Sequence, residues 1–193
     1  MHQDVCTLVS NYQYDGFLTT ADDVYARQCR LPDILQDQPR SIWYVLDEDG
    51  GERPSIRAER GPSNRSWIRL ATHDVLERLF HDPTFATANG LFISPFRAQA
   101  KEIATFFAKR NLHHWAASTV HSQQGSEADI VIFDTVNAGS HSWPYDEWKR
   151  LVNVALSRAR EMVLILASRS EMNEPYLRQL IPSLSTKVLR KKA

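Results

Sequence analysis

Cysteine is scarce: Cys6 and Cys29 are the whole supply in 193 residues. Two thiols give no disulfide framework and fit a reduced compartment. Neither has a CxxC partner, and His113–His114 lacks ligand spacing, so no metal site is assigned. No apolar run approaches the ~18–20 residues of a membrane span, and no signal peptide precedes Val5. The expectation is therefore a protein of the cytoplasm, or of the nucleus in a eukaryote, neither secreted nor partnered with a membrane. No GxxxxGKS or GxxxxGKT occurs, so the phosphate cradle that such a loop builds is absent. A strand ending in the paired acids that hold magnesium is not expected either.

Net charge is missing too, with 23 basic and 23 acidic side chains. The balance hides an asymmetry. Residues 1–60 carry 6 basic and 11 acidic groups, and residues 61–193 carry 17 and 12. A basic second half is compatible with a phosphate-bearing ligand. With 42% apolar content, the length supports one sizeable core, and a single domain over 1–193 is the simplest organisation.

The stretch from Ser118 to Ser168 organises the rest. A polar turn from His121 to Glu127 feeds the apolar run Ile130–Phe133. Apolar residues then recur at helical spacing at Trp148, Leu151, Val152, Ala155, Leu156 and Ala159, ending in Arg158 and Arg160. A second apolar run, Met162–Ala167, follows. Two buried strands framing an Arg-terminated helix are parts of an open α/β sheet, where ligands collect at strand ends.

Elsewhere, Val5–Val9 reads as a short strand and Phe17–Tyr25 as a helix. Ile42–Leu46, Leu91–Ile93 and Ala117–Val120 read as further strands. Residues 47–64 read as a surface loop, a hairpin or a disordered excursion. Ser66 is expected to cap a helix carrying Trp67, Leu70, Ala71, Val75, Leu76, Leu79 and Phe80. Ser94-Pro95 should start another as N-cap and first residue, with Phe96, Ala100, Ile103, Ala104 and Phe107 buried. A final helix should carry Tyr176, Leu177, Leu180, Ile181 and Leu184, and residues 185–193 read as a mobile basic tail.

The wording of three segments adds an ancestry. Thr119–Asp129 (TVHSQQGSEAD) resembles motif V of superfamily 1 helicases, Arg150–Arg160 (RLVNVALSRAR) resembles motif VI, and Leu91–Gln99 (LFISPFRAQ) resembles motif IV. The wording of the first two resembles the Upf-like branch of that superfamily, and the third stands in the order and at a spacing that fit the same group. All three belong to the second of its two RecA-like domains, so the resemblance implies a three-layer α/β/α fold with a mainly parallel sheet.

The resemblance also implies site residues. ATP would be shared with a first RecA-like domain that supplies the phosphate cradle and magnesium. This chain would add Gln124, Gly125 and Glu127, the last toward the nucleotide sugar, and Arg158, which reaches the γ-phosphate across the cleft. Asn153 and Arg160 would brace the loop. Leu8–Gln13 resembles the segment in which an aromatic stacks on adenine and an arginine follows. Tyr12 then has that place, and Gln13 replaces the arginine. A rival alignment uses Gln28-Cys29-Arg30, keeping the arginine and losing the aromatic. Single-stranded DNA or RNA would run past Ser94, Pro95, Arg97, Thr119 and His121, with Gln99 a further contact; apart from the resemblance, Trp143, an aromatic near a basic segment, is a candidate base-stacking residue. The implied activity is ATP-driven translocation and unwinding, with no hydrolysis by this half alone. The alternative is a non-catalytic module that binds nucleic acid or protein and descends from a helicase.

Overall fold

The alternating apolar runs assemble into one parallel sheet. A computed structural model describes residues 1–22, 29–31, 33–46, 56–60, 65–121, 126–136, 138 and 143–188. Its strands are β1 (Ser41–Val45), β4 (Gly90–Ser94), β5 (Trp115–Thr119), β6 (Ala128–Asp134), β7 (Ala159–Ala167) and β8 (Ser185–Val188), ordered β5-β4-β6-β7-β1-β8. Every pairing in this sheet is parallel. A separate antiparallel pair joins β2 (Ile56–Arg60) to β3 (Arg65–Arg69).

Because side chains alternate along a strand, each central strand feeds two cores. Val131, Phe133, Val163 and Ile165 meet α1 (Gln3–Gln13) and α6 (Tyr145–Leu156) on one face. Ile130, Ile132, Leu164 and Leu166 meet α3 (Ala71–Phe80), α4 (Pro83–Thr87) and α5 (Arg97–Lys109) on the other, where the short α2 (Asp33–Gln36) adds Leu35. The result is the expected three-layer α/β/α arrangement.

Several local expectations fail for physical reasons. Val5–Val9 is helix. Val5, Leu8, Val9 and Tyr12 are all buried at spacings of 3.6-residue periodicity, and the His2 side chain caps the start by accepting from the Asp4 N–H. Phe17 and Leu18 are exposed and outside any helix; Val24 and Tyr25 lie outside the described residues. The span from Trp67 to Arg69, read as the start of a helix capped by Ser66, belongs with Ser66 to β3, and α3 begins only at Ala71 with no side-chain cap. Within the span read as a surface loop, a hairpin or a disordered excursion, 56–60 forms β2 and pairs antiparallel with β3, as the hairpin alternative expects; positions 47–55 and 61–64 lie outside the described residues. The last helix is broken into α7 (Arg169–Met172), α8 (Pro175–Arg178) and a 3-10 turn at Ile181–Ser183. Pro175 and Pro182 each start a new turn there, since proline cannot donate to the turn before it. Residues 185–188 of the basic tail are β8, in parallel register with β1; 189–193 lie outside the described residues.

Gly90 sits opposite Trp115 in the β4–β5 register, and a Cβ at Gly90 would fall inside the Trp115 indole. That ring is locked by stacking on Phe85 at 5.1 Å and by its Nε1–H donating to the Phe85 carbonyl at 3.2 Å. Gly90→Ala is therefore expected to destabilise by about 1–3 kcal/mol, the range for overpacking a core. Chemical denaturation with an unchanged m-value would show it; an unaltered midpoint would mean that the indole yields freely.

Candidate nucleotide edge and nucleic-acid cleft

A parallel sheet has one edge where its strands begin and one where they end. The beginning edge gathers charge. Glu127 immediately precedes β6 and Arg158 immediately precedes β7, and the two strand starts are tied by the Ala128 N–H donating to the Arg158 carbonyl at 3.1 Å. Arg158 is only 8% exposed. Its Nη1 donates to the Ser126 carbonyl at 2.9 Å, so the end of one motif is pinned to the other. Burial pushes the Arg158 guanidinium below its ordinary value; it remains a cation at neutral pH. Arg160, more exposed, donates from Nε to Glu127 at 3.0 Å and lies 3.8 Å from Asp129. It braces the turn through these carboxylates.

Asp129 also lies 3.8 Å from Arg30. Burial raises its carboxyl above the usual range, and the two guanidinium groups oppose that. Arg30 thus stands on the same edge as Glu127, Arg158 and Arg160, beside Cys29, whose Sγ lies 3.5 Å from Glu161 Oε2.

Tyr12 and Gln13 do not. The α1 helix starts where the His2 N–H reaches the Arg160 carbonyl, and its 11 residues carry the chain ~16 Å along the sheet. At the far end Tyr12 is 3% exposed and its hydroxyl donates to the Tyr176 carbonyl at 2.6 Å, beyond the end of β7. Burial pushes its phenol far up, so it stays a neutral donor. Tyr12 is core and has no face open for an adenine, and Gln13 is exposed at the opposite edge from Arg158. Arg30, the arginine of the rival alignment, is the one that stands on the Arg158 edge. Gln124 and Gly125 lie outside the described residues.

The strand-ending edge holds an open cleft of about 650 Å³, lined by Pro95, Arg97, Lys101, Thr119 and His121 above a floor of Ala100, Ala104 and Ala117. Arg97 and Lys101 are one turn apart on α5 and so share a face. Four residues predicted for nucleic acid are brought together here. Ser94 is not among them, being fully buried with Oγ accepting from the Phe96 N–H at 3.2 Å. It closes the strand; α5 starts at Arg97 without a side-chain cap. Trp143 stacks on Phe96 at 5.8 Å and packs on Trp148 at 4.9 Å, which makes it a half-buried part of the core and not an open platform for a base. Of the predicted α5 stripe, Ala104 is exposed and Phe106 takes its place inside.

Behind the cleft lies a polar network that sequence reasoning missed. Arg69, Asp134, Gln99 and Thr72 are fully buried, and Glu171 nearly so. Arg69 pairs with Asp134 at 3.2 Å and with Glu171. Gln99, predicted as a ligand contact, spends its amide inside this network. Burial raises the Asp134 carboxyl, with Arg69 opposing. The available signal was a charge abutting an apolar run, Asp134 after Ile130–Phe133 and Arg69 after Trp67-Ile68.

The expected absence of paired acids needs correction. Asp47-Glu48 follow the apolar run Ile42–Leu46 directly. They lie outside the described residues, but β1 ends at the cleft edge and not at the Arg158 edge. Among the described residues no three His, Cys, Asp or Glu side chains form a metal-holding group, and no helix is long and apolar enough to cross a membrane.

Comparison with known proteins finds relatives among helicases. The DNA replication ATP-dependent helicase/nuclease DNA2 of Xenopus laevis is 25% identical over 96% of this chain. The helicase sen1 of Schizosaccharomyces pombe is 29% identical over 87%. The chain spans about a fifth of the length of the first relative (20%) and a tenth of the second (10%). Among solved structures, the C-terminal domain of a possible DNA helicase from Lactobacillus plantarum WCFS1 superposes with a TM-score of 0.53, covering 95% of both chains at 14% identity; it supports the fold. The family model AAA_12, described as an AAA domain, matches residues 1–170, and the chain belongs to that family as a RecA-like domain of the superfamily 1, Upf-like helicases.

Proposed function

We propose that this chain is the second RecA-like half of an ATP-dependent superfamily 1 helicase, acting on single-stranded DNA or RNA. The observation that carries the reading is the gathering of Glu127, Arg158, Arg160 and Arg30 on one edge of the sheet while a cationic cleft occupies the other. The two ligand chemistries, a triphosphate and a phosphodiester backbone, are thereby separated by the length of the strands.

ATP, when held between this edge and a first RecA-like domain, supplies the phosphoanhydride bond whose cleavage drives the motor. Glu127 would face its sugar, and Arg158 and Arg30 its terminal phosphates. Arg158 already holds the Ser126 carbonyl, so charge at the nucleotide is mechanically tied to the turn before β6. In this reading both magnesium and the phosphate cradle belong to the partner domain. A non-catalytic module drew its support from Gln13 in the arginine's place; with Gln13 at the far edge, that support is gone.

In the cleft, Arg97 and Lys101 can neutralise about two phosphates, so single-strand binding should be weak and fade with salt. The slope of log affinity against log salt should be about −2 or shallower, with little sequence preference. Titration of labelled oligonucleotides at several ionic strengths measures it. Affinity indifferent to salt, or strong discrimination between base sequences, would count against a backbone track.

A further inference from the structure

We infer that the buried network of Arg69, Asp134, Glu171, Gln99 and Thr72 is a positioning device for the cleft, fixing two of its supports against each other. The inference rests on the cleft reading above. Gln99 lies two residues after Arg97 and two before Lys101, so it projects from the opposite side of α5. Its Oε1 accepts from the Arg69 N–H at 2.8 Å, and its Nε2 donates to Asp134 Oδ2 at 2.9 Å and to Thr72 Oγ1 at 3.1 Å. An amide held at both ends fixes the rotation of the first turn of α5, and with it the direction in which Arg97 and Lys101 leave the helix.

The same network holds the exit of β6. Asp134 Oδ1 accepts from the Val136 N–H at 3.1 Å, and Glu171 Oε1 accepts from the Ala138 N–H at 3.0 Å. Between them Val136 sits at φ +33°, a region that a β-branched residue rarely enters. Such strain persists where its surroundings over-determine it, and it clusters where geometry matters to function. The chain from here leads to Trp143, whose ring lies on Phe96, the neighbour of Pro95 in the cleft wall. A core seeking stability alone would be better served by apolar residues of the same volume, because desolvating three charges offsets most of what their pairing contributes. What a satisfied buried network adds is one defined arrangement.

Thr72 gives the cleanest test. It donates to Asp134 Oδ2 at 2.5 Å, receives from Gln99, and lies on α3 away from the cleft lining. Thr72→Val keeps the shape and removes both bonds; Thr72→Ser keeps the hydroxyl. Single-strand oligonucleotide affinity and the thermal midpoint are measured together on the whole chain, well below every midpoint. Thr72→Val should weaken binding about twofold to thirtyfold, the range seen along coupling networks, while Thr72→Ser restores it. If Thr72→Val lowers the midpoint and leaves the affinity at the wild-type value, the network is structural only and the inference falls. Should that variant fail to fold, Gln99→Asn, which withdraws the amide by one methylene, takes its place with the same two outcomes. A wild-type chain that binds no oligonucleotide overturns the cleft reading first, and the positioning role with it.

Discussion

Arg158→Ala is expected to cost about 10³-fold or more in ATP turnover once this chain is assembled with a matching first RecA-like domain. The chain by itself should show no turnover, since it contains no GxxxxGKS or GxxxxGKT loop. The size of the effect follows from what a fixed guanidinium does beside a transferring phosphoryl group. It meets charge that develops only in the transition state, in a site from which water is largely removed. Because Arg158 also holds the Ser126 carbonyl, the alanine could loosen the turn as well as remove the charge. Arg158→Lys separates the two contributions by keeping the charge and losing the planar fork. Phosphate release is measured for the chain alone, the reassembled pair, and the pair with each variant. Robust hydrolysis by the chain alone would refute the half-site reading, and a pair indifferent to Arg158 would leave a binding module.

The largest effect on stability should come from Arg69→Leu. Arg69 lies with its guanidinium between Asp134 and Glu171 and also donates to the Leu166 carbonyl at 3.2 Å. Leucine leaves two carboxyls in the interior with no cation, and breaking a buried pair this way costs about 3–5 kcal/mol. The deficit should depend on pH, with a sign that can be worked out. Burial already raises the Asp134 carboxyl above its unfolded value, and Arg69 is the largest influence opposing that rise. Without it the carboxyl rises further, so the folded variant binds protons that the unfolded chain releases. The stability so gained is present below the unfolded carboxylate range and lost as pH climbs through the raised folded value. Urea midpoints of wild type and variant at pH 5 and pH 8 should therefore lie closer together at pH 5. A gap that widens toward acid would show that Arg69 does not neutralise these groups.

The central strands and the two motif segments around them were legible because their signals are local. Ile130–Phe133 and Met162–Ala167 are apolar runs that stand as β6 and β7; of the helical spacing read from Trp148 to Ala159, Trp148–Leu156 stands as α6, whereas Ala159 and Arg160 open β7 and Arg158 lies between the two elements. Val5, Leu8, Val9 and Tyr12 carried the same helical spacing, but the stretch is short and rich in β-branched and apolar residues, so strand and helix competed on equal terms there. The strand at 65–69 and the tail strand at 185–188 exist only through their partners. One depends on β2 and the other on β1, and neither partner is visible from the segment itself.

The candidate sites divide along the same line. By itself the sequence determined the parallel α/β architecture and placed Pro95, Arg97, Thr119, His121, Glu127 and Arg158 in motifs whose wording implied phosphate chemistry. Only the tertiary structure decided that Tyr12 is core, that Arg30 and not Gln13 stands on the Arg158 edge, and that Ser94 and Gln99 face inward. It alone joined Arg69 to Glu171, 102 residues away in the chain. The physical reason is one of range. Periodicity, caps and turn chemistry act over a few residues, whereas the edge on which a side chain lands is set by strand order and helix direction. Those belong to the burial of the whole core, and no short stretch of sequence carries them.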